Sequence, residues 1–108
     1  MRRSALGLMD TAISTKEQTL VCSVLDRYAR ERKIDYHALR TRQSGMRSFV
    51  AVHILVPGSW TVHQGHQLLE EIESDIRQIV AGAIVFTHLE SLDDPASWAD
   101  IELDRLES

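Results

Sequence analysis

The stretch Phe49–Val56, with the sequence FVAVHILV, decides how this chain folds. Its β-branched and other apolar residues, followed at once by Pro57-Gly58, are typical of an apolar β-strand. His53 is the one polar residue within this apolar run. Burying an imidazole without a hydrogen-bond partner costs roughly 2–7 kcal/mol, so the sequence predicts a partner for His53 inside the fold.

A second strand is predicted just before this one. Ile34–Arg42 carries strand-like residues that include His37, and Gln43–Gly45 is a turn signal. The strand after the turn is predicted to run from Arg47 to Val56, so that the two strands form a hairpin.

Two helices and a third strand complete the predicted fold. Ser14–Glu17 and Thr61–Gln64 both have the spacing of a capping box, which marks the start of a helix. Apolar residues at helical spacing follow each of these starts. The predicted elements are helix 1 from Thr15 to Glu31, helix 2 with an apolar face of Val62, Leu69, Ile72, Ile76 and Ile79, and strand 3 from Ala83 to Leu89.

The predicted order αββαβ indicates an open-faced α+β layer, because two amphipathic helices can cover only one face of a three-stranded sheet. The other face must be covered by a partner or be unusually polar, and we therefore expect a homodimer. The domain is predicted to span residues 14–90. Residues 1–13 are predicted to be a linker and residues 91–108 an acidic, solvated tail.

Composition excludes several classes of function. The chain has 108 residues, enough for one domain, and its net charge of −4 offers no broad surface for nucleic acid. Cys22 is the sole cysteine, which fits a reducing, cytoplasmic setting and excludes a disulfide framework or a cysteine-based zinc site. The sequence has no run of about eighteen apolar residues that could span a bilayer. It also shows no nucleophile–base arrangement, so we expect no enzymatic activity.

The five histidines are the main functional signal. Side chains two residues apart on a strand leave the same face, so His88 and Glu90 are predicted to lie side by side. His66 is predicted to lie on, or at the border of, the apolar face of helix 2. Imidazole and carboxylate groups without thiolate suit Zn²⁺ or the divalent ions of manganese, iron, cobalt, nickel and cadmium. The candidate metal ligands are His37, His53, His66, His88 and Glu90.

Each candidate ligand also has a simpler explanation. A single histidine on an apolar face is more often a core residue that hydrogen-bonds to a backbone carbonyl, and Glu90 could be a charge that protects an edge strand. For the four candidate histidines together, a shared metal ion is the better interpretation. His63 is the exception, because a solvated position on helix 2 explains it best.

Four stretches in sequence order resemble the cytoplasmic C-terminal domain of the cation diffusion facilitator family: His37–Gly45, Phe49–His53, Thr61–His66 and Val85–His88. Leu8–Ala12 is similar to the segment that follows the last transmembrane helix of that family. The resemblance implies a ferredoxin-like, metallochaperone-like fold that forms a homodimer on the cytoplasmic side of the inner or plasma membrane. It also implies that the transmembrane domain of a parent transporter is a partner. Such transporters export zinc or related divalent cations, commonly in exchange for protons.

The resemblance also implies roles for individual residues. By it, His37, His53, His66 and His88 stand where the cytoplasmic metal ligands of the family occur. Glu90 stands in the place of a carboxylate, often aspartate, that can bridge two ions. Asp10 resembles a linker aspartate that can join a charge interlock near the membrane, and the role of His63 stays open.

Three functions remain open at this point. The first is a metal-binding regulatory domain of a divalent-cation exporter. The second is a purely structural dimerisation module, in which hydrogen bonds satisfy the histidines. The third is a soluble metal carrier, which would use the same ligands without a membrane partner and would start at Met1.

Overall fold

The chain folds in the predicted αββαβ order. The structure, a computed structural model, describes residues 12–97. The elements are α1 (Thr15–Arg32), β1 (Asp35–Ser44), β2 (Arg47–Val56), α2 (Val62–Ile79) and β3 (Ile84–Ser91). This confirms the predicted fold class. Most of the predicted linker, with Asp10, and most of the predicted tail lie outside the described residues.

Both helices begin where the capping signals predicted. The Ser14 hydroxyl accepts the backbone N–H of Glu17 at 3.1 Å. At α2 the capping box is complete: the Thr61 hydroxyl accepts from the Gln64 backbone at 3.1 Å, and the Gln64 side chain accepts from the Thr61 backbone at 2.8 Å. These contacts satisfy amide donors that have no partner within the helix, and so fix the first turn.

The sheet has the strand order β1-β2-β3, with β2 in the centre. β1 and β2 are antiparallel and form the predicted hairpin, whose turn contains Gly45 at φ 61°. Glycine adopts this left-handed conformation without a steric penalty. β2 and β3 are parallel, and α2 makes the crossover between them.

A bulge in β1 changes which of its side chains share a face. The pairing register shifts between His37 and Arg40, and Ala38 has a φ of 58°. In a regular strand, residues three apart would face opposite sides. Here His37 pairs with His53 and Arg40 pairs with Ala51, so both leave the same face of the sheet.

The core lies between the helices and one face of the sheet. It contains alternate residues of β2 and the inner faces of α1 and α2. Ile13, which falls within the predicted linker, is also buried in this core, with 2% of its surface exposed. Fully buried members of the core include Val50, Val52, Ile54, Val21, Leu25, Leu68, Ile72 and Ile76.

The predicted apolar face of α2 was partly wrong. Val62 is 84% exposed, and the buried stripe is formed by Gly65, Leu68, Ile72 and Ile76. Gly65 belongs to this stripe because the helix approaches β3 closely there, and a Cβ atom would collide with the Leu89 side chain. Counting large apolar residues along the helix misses a glycine that provides a close contact.

The face of the sheet opposite the helices, called the open face below, is largely polar. Phe86 on this face is 57% exposed. A polar open face was one of the two expectations, and the homodimer stays a prediction. No helix within residues 12–97 is long and apolar enough to cross a membrane. The paired residues of the open face are Asp35, His37, Arg40 and Arg42 of β1, Phe49, Ala51, His53 and Leu55 of β2, and Ile84, Phe86, His88 and Glu90 of β3.

Candidate metal centre

Three histidines form a row across the open face, one from each strand. His37 of β1 pairs with His53 of β2, and His53 pairs with His88 of β3. The ring centroids of His37 and His53 are 5.0 Å apart, and those of His53 and His88 are 4.9 Å apart. Both ring pairs meet edge to face. We refer to these residues as the histidine row.

The carboxylate of Glu90 contacts every ring of the histidine row. Its Oε1 lies 3.2 Å from His37 Nε2, and its Oε2 lies 2.7 Å from His53 Nδ1 and 2.9 Å from His88 Nδ1. Glu90 reaches all three because it leaves the same face of β3 as His88, one pleat further along the strand. A carboxylate is thus placed where nitrogen atoms from three strands converge.

The geometry around His53 fits a cation better than a simple hydrogen bond. His53 Nδ1 is buried and has no partner in hydrogen-bonding geometry, although Glu90 Oε2 is only 2.7 Å away. The two atoms are close, yet they do not form a hydrogen bond. One ligand atom each from His37, His53 and Glu90 lies within 4.8 Å of the others. Ligands of a tetrahedral zinc ion lie about 3.3 Å apart, given Zn–N distances of about 2.0–2.1 Å.

The charge of Glu90 is stabilised by its neighbours. The Glu90 side chain is 7% exposed, compared with 9% for His37, 32% for His53 and 65% for His88. Burial alone would raise the pKa of the Glu90 carboxyl. The hydrogen bond with His37 and the electrostatic interactions with the His53, His37 and His88 rings outweigh burial and hold the pKa below its ordinary value. An ionised carboxylate only accepts hydrogen bonds, so His37 Nε2 and His88 Nδ1 carry the hydrogens.

The structure brings together four of the five predicted ligands, namely the histidine row and Glu90. It does not bring His66 to them. His66 lies on α2, on the helix-covered side of the sheet, where its side chain is 65% exposed and its Nε2 is 3.7 Å from Glu70. The expected place of His66 at the apolar border was wrong, because the buried stripe of α2 leaves it facing solvent. Its role as a ligand stays a prediction, and His63 is exposed on the same helix.

Sequence reasoning did not single out Asp94, which lies near the cluster. Asp94 and Ser97 line one cavity together with His88 and Glu90. The Asp94 carboxylate accepts a hydrogen bond from the backbone of Ala96 at 2.9 Å. The only signal for Asp94 in the sequence was its place in the acidic run after β3, and that run was interpreted as a solvated tail.

Comparison with known proteins identifies the family. Residues 13–92 match the family described as the cytoplasmic domain of cation efflux proteins. The chain belongs to this family. Members of the cation efflux family are transporters, and the matched part is their cytoplasmic domain.

Two curated relatives are much longer than this chain. An uncharacterised transporter of Synechocystis is 41% identical over 98 residues, which cover 91% of this chain and 31% of the relative. The cation-efflux pump FieF of Pectobacterium atrosepticum is 29% identical over 91 residues, which cover 84% of this chain and 28% of the pump. The chain therefore spans less than a third of the length of these relatives.

Two solved structures share this fold. The Zn form of CzrB matches with a TM-score of 0.68 and 30% identity, covering 80% of this chain and 97% of that chain. The metal-bound C-terminal domain of the CzcD transporter from Thermotoga maritima matches with a TM-score of 0.61 and 21% identity, covering 77% of this chain and 99% of that chain. At this identity, the second match supports the fold alone.

Proposed function

We propose that this domain binds a divalent cation, with zinc as the first choice, through the histidine row and Glu90. The observation that carries the proposal is the convergence on one buried carboxylate of three imidazole nitrogens, each within 3.2 Å of it. Neutral imidazole and carboxylate groups are common zinc ligands, and other first-row divalent ions also accept them. The Zn form of CzrB, which is 30% identical, supports the same proposal.

A cation at this position would link all three strands. In its absence, hydrogen bonds to Glu90 satisfy the imidazole N–H groups of His37 and His88. The hydrogen on each coordinating nitrogen has to leave when a metal binds, so zinc affinity should fall as the pH is lowered.

For regulation, the cation must bind more tightly to one arrangement of the protein than to another. A cation that binds both arrangements with equal affinity does not shift the equilibrium between them.

Calorimetric titration of the full chain with zinc tests the proposal. We expect saturable binding in the wild type and at least about tenfold weaker binding in His53→Ala, which removes the central ring of the row. His63→Ala is the matched control, because His63 is exposed on α2 and outside the cluster. His66→Ala measures the predicted contribution of the fifth ligand. Absence of zinc binding by the folded wild-type protein would overturn the proposal.

We further propose that the domain forms a homodimer and regulates the transmembrane part of a cation exporter, which would move zinc or a related cation in exchange for protons. Family membership and the length of the curated relatives support this role. Sedimentation with zinc and with chelator tests the dimer. A dimer that forms identically in both conditions, together with no zinc binding, would instead indicate a purely structural dimerisation module.

The parent reading frame provides a second test. Hydrophobic segments encoded upstream of Met1 would support the exporter. A native start at Met1 would support a soluble carrier that uses the same ligands.

A further inference from the structure

The turn between β1 and β2, residues 44–47, exposes a large apolar side chain and is called the hairpin tip below. Ser44 pairs with Arg47, so Gly45 and Met46 form a two-residue loop, with Gly45 at a φ of 61°. Met46 is 101% exposed, the highest value among the exposed large apolar residues of residues 12–97. A methionine side chain is unbranched and flexible, so it can adapt to an irregular apolar partner.

The surroundings of Met46 in the sequence are basic. The chain has a net charge of −4, yet no acidic residue occurs between Asp35 and Glu70. Arg47, next to Met46, is exposed and forms no ion pair with another residue of the described range 12–97. An apolar side chain beside an unpaired cation suits an anionic lipid surface, where the apolar group enters the headgroup layer and the cation faces phosphate.

The hairpin tip lies at the same end of the molecule as the start of α1. Arg27 of α1 contacts Asp75 of α2, and Arg32 contacts Glu71, so the two helices are antiparallel. α2 makes the crossover between the parallel strands β2 and β3, and it therefore runs against both strands. It follows that α1 runs in the direction of β2 and begins at the end where β2 begins.

This end is also the one that would face a membrane in an exporter. The chain spans less than a third of the length of its curated relatives, and members of the family are transporters. A transmembrane part encoded upstream of Met1 would join the domain at the start of α1. This orientation rests on the proposed function. Lys16, exposed in the first turn of α1, adds a second cation at the same end.

We propose that the hairpin tip binds the anionic headgroup surface of a lipid bilayer, with Met46 entering the headgroup layer and Arg47 and Lys16 facing lipid phosphates. A second copy of the chain suits the tip less well, because a symmetric contact would bring each Arg47 close to its own copy. The contact is weak by itself, since each basic residue near the surface raises membrane partition by about fivefold. An attached transmembrane part would add a high effective concentration.

Flotation of the full chain with vesicles, in chelator and at low ionic strength, tests this contact. The vesicles contain equal amounts of phosphatidylglycerol and phosphatidylcholine at millimolar lipid, and pure phosphatidylcholine is the comparison. We expect at least about tenfold more binding to the anionic vesicles, and less binding as salt is added. Arg47→Glu and Met46→Asp should each reduce the binding at least about fivefold.

The matched controls make the same changes at the opposite end of the molecule. Arg30→Glu, near the end of α1, alters the net charge as Arg47→Glu does, and Arg30 is also exposed. Val62→Asp, at the start of α2, places a carboxylate on a residue that is 84% exposed. Both controls should bind the anionic vesicles within about twofold of the wild type, because only the hairpin tip contacts the lipid.

A fluorescent probe at the hairpin tip gives a second measurement that does not depend on these variants. Met46→Cys in a Cys22→Ser background accepts an environment-sensitive fluorophore, whose emission should shift to the blue on anionic vesicles. The same fluorophore on Val62→Cys should keep its emission, since that position lies at the opposite end. Urea denaturation of each variant checks that it is folded.

Three results would contradict membrane binding by the hairpin tip. The first is a wild-type chain that does not float with the anionic vesicles. The second is equal loss of binding in Arg47→Glu and Arg30→Glu, and the third is a blue shift at position 62 in place of position 46. These measurements contain no zinc. A chain that binds zinc but not vesicles would therefore keep the proposed metal centre and lose the membrane contact alone.

Discussion

At the scale of single residues, Glu90 is the group on which the candidate centre depends. Its carboxylate is almost fully buried and touches an imidazole from each strand of the sheet. Hydrogen bonds to a charged group contribute about 1.5–3 kcal/mol each, more than neutral ones. Glu90 should therefore stabilise the metal-free domain as well as bind a cation.

Replacing Glu90 with glutamine tests this dual role. Glu90→Gln keeps the size but loses the negative charge beside the rings, and we expect it to lower the free energy of unfolding by about 1–3 kcal/mol in chelator. Urea denaturation near pH 7 measures the change. Glu70→Gln, which alters the exposed partner of His66, should change stability by less than about 0.5 kcal/mol. Equal effects of the two substitutions would contradict the assigned role of Glu90.

Tyr28 joins the two helices through a hydrogen bond whose strength should depend on pH. Its hydroxyl donates to Asp75 Oδ2 at 2.6 Å. Burial, followed by this hydrogen bond, raises the pKa of Tyr28 from 10.0 to about 12. The folded protein thus keeps the proton after the unfolded chain has lost it. The resulting stability is fully present below the ordinary pKa and is lost as the pH rises from there to about 12.

Tyr28→Phe should remove this part of the pH dependence. Because the variant has no hydroxyl to ionise, its unfolding free energy should fall less than that of the wild type between about pH 9 and about pH 12. Near neutral pH the variant should be about 1–2 kcal/mol less stable, since the bond to Asp75 is lost. Denaturation series at several pH values measure both effects. The pKa of Tyr36 is also raised, but Tyr36 is present in both proteins. Its contribution to the pH dependence of the unfolding free energy therefore cancels when the two are compared.

At the scale of elements, the bulge in β1 is what places His37 in the histidine row. Ala38 adopts a φ of 58°, a conformation that favours glycine and disfavours β-branched residues. Ala38→Val should therefore destabilise the domain by about 1–3 kcal/mol. Ala38→Gly, the control, should cause no such loss. Equal stability of the two variants in urea denaturation would show that the bulge is not strained.

The sequence predicted local features of the site and missed those that depend on distant contacts. Alternation along a strand is local, and it correctly placed His88 and Glu90 on one face. The alignment of His53 with His88 is a register between strands that are far apart in sequence, and no local pattern encodes it. The bulge at Ala38 and the buried Gly65 were missed for a related reason, since both are set by neighbouring elements. The helix starts were predictable because capping acts within four residues.

At the scale of the whole molecule, a cation that bridges three strands should stabilise the complete fold. Binding to the folded state alone adds about 2.7 kcal/mol when free zinc exceeds the dissociation constant about a hundredfold. We expect zinc to raise the melting temperature of the wild type and chelator to reverse the rise. Scanning calorimetry measures both, and the rise should be smaller in His53→Ala, which binds zinc more weakly. A melting temperature independent of zinc would contradict the proposed centre.

The parallel pairing of β2 with β3 also determines when the centre can exist during synthesis. The hairpin that carries His37 and His53 leaves the ribosome first, while Glu90 is encoded 37 residues after His53. Until α2 has formed and β3 has docked, a cation that meets the nascent chain finds the imidazoles of His37 and His53 without His88 and Glu90. The complete site can therefore bind the ion only after the domain has folded.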